Sequence, residues 1–157
     1  MHAEMDVSYG LVRNLNCLQD QNRTTRRRAL EAVRSEIFPG QDSSVDVCVA
    51  PQSRVVELAI GPLLRAFSDP VEKCRELAIL TVSDMLELTD DACSLLHSVI
   101  PTLVQRLAQP DIVEPSEELR LKLVQLMHSA FDRCNVSVAS YLNDLVCILY
   151  TNILAIL

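Results

Sequence analysis

The stretch IGPLLRAFSDPVEKCRELAILTVSDMLEL, residues 60–88, decides the fold. Ile60, Leu63, Leu64 and Phe67 recur at the three- and four-residue spacing of an amphipathic helix. Ser68-Asp69-Pro70 then interrupts the pattern. Proline disfavours helical backbone in the residue before it and suits the first turn of a new helix. Past the break, Cys74, Leu77, Ala78, Val82, Met85 and Leu86 make a second apolar stripe. A helical hairpin of this size cannot bury both stripes by itself, so the stretch predicts neighbours of its own kind.

The flanking sequence supplies them. The pattern predicts hairpins over about 6–38, 54–88 and 91–134, a lone helix over 137–157 and a loop over 39–53, together one domain spanning 1–157. In the first hairpin, Val7, Leu11, Val12, Leu15 and Leu18 share a face before Gln19-Asp20-Gln21-Asn22 breaks it. Thr24 or Thr25 is placed to cap the next helix, with Ala29, Leu30, Val33 and Ile37 inward and the arginines mostly outward. Asp20 stands six residues before Arg26, as Asp69 stands before Arg75. A turn aspartate so placed is expected to cap the second helix, or to meet an arginine of its own or a neighbouring repeat. Taken as a surface pair, it is worth at most about 1 kcal/mol.

In the third hairpin, Ala92, Leu95, Leu96, Val99, Ile100, Leu103, Val104 and Leu107 form the first helix, and Pro101 takes the place of Pro62. A proline there is expected to bend or restart the helix. After a longer turn carrying Pro110 and Pro115, Glu117 and Glu118 open the second helix at its positive end. Leu119, Leu121, Leu123, Val124, Leu126, Met127 and Phe131 give this helix a broad apolar surface, and Arg120 takes the place of Arg75. In the 39–53 loop Val45, Val47 and Val49 alternate with polar neighbours, but no second strand is available to pair with them.

Composition agrees with helices packed on helices. Apolar residues make up 49% of the 157, aromatics only 4%, and tryptophan is absent, a poor supply for a sheet sandwich. The net charge of −7 argues against a general nucleic-acid binder, which needs many phosphate-neutralising cations. The charge is uneven, with Arg23, Arg26, Arg27, Arg28 and Arg34 crowded into one short stretch. Three consecutive arginines on one helix point in three directions, so a solvated flank is the simplest reading of residues 26–28.

The six cysteines are irregularly spaced, with no CxxC pair and no Cys/His cluster of zinc spacing, and are expected to be free thiols in a reducing compartment. His2, His97 and His128 join no triad or metal pattern, and the three glycines build no phosphate loop. No catalytic residue, metal or cofactor is therefore expected. The apolar end of the last helix is interrupted by Asn143, Asp144 and Asn152, so no membrane span is expected either.

First helices restarting at intervals of about 39 to 49 residues, with proline in the first helix, Asp at the turn and Arg early in the second, fit HEAT-type repeats. The fold class is therefore all-α, an alpha-alpha superhelix of HEAT/armadillo type. TTRRRALEAVRSEIF, LLRAFSDPVEKCRELAILTV, IPTLVQRLAQP and SEELRLKLVQLMHSAFDRC, in this order, resemble the N-terminal repeats of the HEAT-repeat dynein axonemal assembly factors over residues 24–154. That family comprises longer solenoids, so the resemblance implies a truncated form ending at Ala155-Ile156-Leu157. It also implies a cytoplasmic, non-enzymatic scaffold for preassembly of axonemal dynein arms, with dynein chains and chaperones as partners. The alternative is a helical-repeat adaptor for nuclear transport or nucleic acid, which only the arginine cluster favours. Asp20, Arg26, Pro62, Asp69, Arg75, Pro101 and Arg120 are expected to be structural residues of the repeat turns.

Overall fold

In the computed structural model the described residues are 9–39, 51–109, 114–134 and 137–154. Most of the expected 39–53 loop, its valine alternation, Val7 and the last three residues lie outside them. Among the described residues seven α-helices follow one another: α1 Tyr9–Cys17, α2 Arg23–Ile37, α3 Ser53–Arg65, α4 Glu72–Leu88, α5 Leu96–Leu107, α6 Glu117–Arg133 and α7 Leu142–Leu154. No strand occurs among the described residues.

The helices form two layers. α1 packs on α2, α3 on α4 and α5 on α6; α2, α4 and α6 then pack in succession, as do α3, α5 and α7. This is the all-helical superhelix that the stripes predict. The central hairpin supplies its middle: Leu63, Phe67, Cys74, Ala78, Val82, Met85 and Leu86 are all fully buried. Each repeat covers its neighbour's apolar face, which is how a stack of short helices acquires a continuous core.

Several local expectations change. The cap of α2 is Asn22, whose side chain accepts the N–H groups of Thr24 at 2.8 Å and Thr25 at 3.4 Å. The threonines are thus the second and third helical residues, the positions a cap side chain serves. Pro62 and Pro101 both lie inside continuous helices, and the restart expected near Pro101 comes earlier, as a 3-10 turn over Ala92–Leu95. On α6 the apolar surface is narrower than its composition suggests. Leu119, Leu123, Leu126 and Met127 are buried, whereas Leu121 is 58% exposed. Arg26 is buried rather than outward.

Not all the cysteines are free thiols. Cys93 and Cys134 form a disulfide, their Cα atoms 5.5 Å apart. The pair joins the start of one helical hairpin to its end, 41 residues on, where out-and-back helices return the chain to its origin. Cys17 and Cys74 keep free thiols.

The layering predicts a contrast within a single helix. Leu123→Ala, at a fully buried site, should cost about 2–5 kcal/mol, and Leu123→Asp should abolish folding. Leu121→Ala, two residues away and exposed, should change stability by less than about 0.5 kcal/mol. Urea melts followed by circular dichroism would read both; equal effects would refute the assignment of the packed face.

Candidate functional site

The most heavily built polar feature lies at the turns. Three acids, Asp20, Asp69 and Glu114, each accept the backbone N–H two residues on: Asn22 at 2.7 Å, Val71 at 2.8 Å and Ser116 at 3.1 Å. Such local bonds hold a turn whose backbone would otherwise lack partners. An arginine six residues later then clamps the first two turns. Arg26 Nη1 donates to the Asp20 carbonyl at 2.9 Å, and Arg75 Nη1 to the Asp69 carbonyl at 2.8 Å. The recurrent six-residue spacing thus joins a guanidinium to a backbone carbonyl of its own turn.

The carboxylates are taken from the following repeat. Arg26 reaches forward to Asp69 with a two-pronged bond, Nε at 2.6 Å and Nη2 at 3.0 Å. Arg75 does the same to Glu114, both bonds 2.8 Å, and Arg106 adds a third bond to Glu114 at 2.6 Å. Arg26 and Asp69 are nearly buried, with 10% and 5% of their side chains exposed; for Arg75 and Glu114 the values are 7% and 0%. These are not surface pairs. Arginine suits the position because its fork serves a carboxylate with one edge and still has a donor for the turn carbonyl.

The electrostatics follow the geometry. Burial pushes the Glu114 carboxyl up, but the bonds from Arg75, the Ser116 N–H and Arg106 outweigh it and hold the group below its ordinary value of 4.5. The hydrogen bond to Asp69 raises Arg26 further above its already high value. Beside this inner ladder, Arg34 pairs with Asp84 between α2 and α4, and Lys122 binds Glu76 at 2.7 Å between α4 and α6.

A family model described as dynein axonemal assembly factor 5-like, TPR repeats, matches residues 17–155. The chain belongs to this family. It is similar to dynein axonemal assembly factor 5 of Xenopus laevis, 40% identical over 144 residues, which cover 92% of this chain and 17% of that protein. The proteins of that name from Mus musculus and Homo sapiens are each 37% identical, over 149 and 145 residues covering 90% and 89% of this chain. The chain thus spans 17% of the length of these relatives. No solved structure matches it. The family's description speaks of TPR repeats. In this member the first helices of the second and third hairpins begin at Ser53 and Ala92, an interval of about 39 residues that is nearer HEAT than the 34 of TPR.

Within this assembly-factor-like chain the expected turn residues divide. Asp20, Arg26, Asp69 and Arg75 meet at two successive turns, and Pro62 lines a groove of about 380 Å³ with Asp20, Arg26 and Asp69. Pro101 is exposed and outside that groove. Among the described residues Arg120 pairs only with Glu117, at 3.6 Å, and Glu117 is 91% exposed. Two participants escaped sequence reasoning, Glu114 and Arg106. Glu114 was detectable, since it stands six residues before Arg120 as each turn acid stands before its arginine. Among the described residues no three His, Cys, Asp or Glu side chains gather as metal ligands, and no helix is long and apolar enough to cross a membrane.

Removing either carboxylate leaves buried cations uncompensated, so Asp69→Asn and Glu114→Gln should each cost about 3–5 kcal/mol. Arg120→Gln, at a pair largely in water, should cost less than about 0.5 kcal/mol. Urea titration at neutral pH would distinguish the two classes. Because Glu114 is depressed below 4.5, its contribution is complete above that value and is lost as pH falls through the lower folded value. The parent chain should therefore lose stability more steeply below about pH 4.5 than Glu114→Gln; parallel pH profiles would contradict the assignment.

Proposed function

We propose that this chain is a non-enzymatic protein-interaction scaffold serving preassembly of axonemal dynein arms in the cytoplasm. The observation that carries this reading is family membership over residues 17–155, with relatives named as dynein axonemal assembly factors. The ladder of buried ion pairs supports it, because it commits the most enclosed charged groups among the described residues to holding hairpins together. A stack so held offers an extended surface to other proteins. On this reading Asp20, Arg26, Pro62, Asp69, Arg75, Pro101 and Arg120 are structural, and residues 1–157 act as one domain of stacked repeats. Axonemal dynein chains and their chaperones are the proposed partners.

The test is affinity purification from ciliating cells, with this chain and with a version extended by further repeats as baits. Axonemal dynein heavy or intermediate chains should be recovered with at least one bait, and Asp69→Asn should reduce the yield. Absence of dynein chains from both eluates would defeat the proposal.

A further inference from the structure

The arginine run of α2 does not face water alone, for the fold brings the next hairpin to it. Arg23, Thr24, Arg27 and Arg28 of α2, together with Val71 and Lys73 at the start of α4, line a surface pocket of about 360 Å³. Four of the six lining residues are cations and none is an acid, in a chain where acids outnumber bases 21 to 14. Among the described residues Arg23 and Arg28 have no ion-pair partner. Arg27 and Lys73 are paired only within their own helices, to Glu31 at 3.1 Å and Glu76 at 2.6 Å, through side chains more than half exposed on the basic side. Exposed pairs of this kind are weak and exchange readily for a better anion. Four like charges drawn together around one concavity repel each other, and a bound anion relieves that repulsion.

We propose that this pocket binds a phosphoserine within a peptide segment of a partner protein. A phosphate monoester carries close to two charges and three strong acceptor oxygens, and arginine forks match it with paired bonds. Thr24 adds a hydroxyl, and Val71 provides an apolar wall for the carbon side of the phosphorylated residue. A carboxylate side chain offers a single charge to the same four cations. A single-stranded nucleic acid would need a basic track and aromatic platforms for its bases. The pocket has no aromatic lining residue, and the chain's net charge is −7. Because its walls come from two hairpins joined by the Arg26–Asp69 pair, the bound phosphate bridges them. The site stands independently of the dynein-assembly reading and would survive its failure.

The test uses the intact chain and fluorescein-labelled degenerate peptide libraries with a fixed central phosphoserine, serine or aspartate, alongside a labelled single-stranded RNA. Anisotropy titrations should show the phosphoserine library binding at least tenfold more tightly than the serine and aspartate libraries and the RNA. R23Q/R28Q should weaken that binding at least tenfold with an unchanged thermal melt. K73E provides the same readout from the other wall should the double variant fold poorly, and Arg13→Gln, on α1, should have no effect. Equal affinity for the three libraries, preference for aspartate or RNA, or binding unaffected by these pocket substitutions would overturn the assignment.

Discussion

The guanidinium groups of Arg26 and Arg75 each join three things that the sequence keeps apart: a helix, the turn before it, and the turn of the following hairpin. Burying such a charge is expensive, and attraction to a carboxylate offsets the cost only where the remaining donors are also satisfied. Both residues meet that condition through the turn carbonyl. The apolar stripes on either side could slide along one another with little penalty, since leucine against leucine specifies position weakly. A two-pronged bond to one carboxylate cannot slide. The ladder fixes how far each hairpin stands along its neighbour, and the Arg34–Asp84 and Lys122–Glu76 contacts then fall into place along the same layer.

Fold class was legible because helical periodicity survives in any single sequence. Ile60, Leu63, Leu64 and Phe67 announce a helix face without reference to anything distant, and all four are buried. The site was half legible. The six-residue Asp–Arg interval is visible, but its meaning is not, because a sequence does not reveal whether an arginine meets a side chain or a main-chain oxygen. The carboxylate that Arg26 takes lies 43 residues downstream, and only the stacking of hairpins brings it near. Depth was the other hidden quantity. A turn aspartate looks solvated on paper, and whether Asp69 is worth a few tenths or several kcal/mol depends on the neighbour laid over it. The same applies to Leu121 and Leu123, alike in type and opposite in surroundings. Cys93 and Cys134 were obscured because spacing rules look for near neighbours, whereas a helical hairpin makes neighbours of residues 41 apart.

Chemistry in this chain belongs to junctions. Each rung of the buried ladder, like the basic pocket, draws residues from two consecutive hairpins, so neither exists in an isolated repeat. Recognition built this way depends on the packing of the stack. A partner that engages both walls of such a junction favours the docked arrangement over a splayed one, by as much as it prefers the former.

The direction of the ladder has a consequence for how the chain comes into being. Both buried arginine rungs run forward: the arginine is earlier in the sequence, and the acid that neutralises it arrives with the next turn. Domains emerging from the ribosome fold from the N-terminus. A freshly made first hairpin therefore holds Arg26 with its turn carbonyls in place and its counter-charge still unsynthesised. Only when Asp69 appears can that hairpin close fully, and only when Glu114 appears can the second do so. Each repeat is completed by its successor, so the order of translation is also the order of closure.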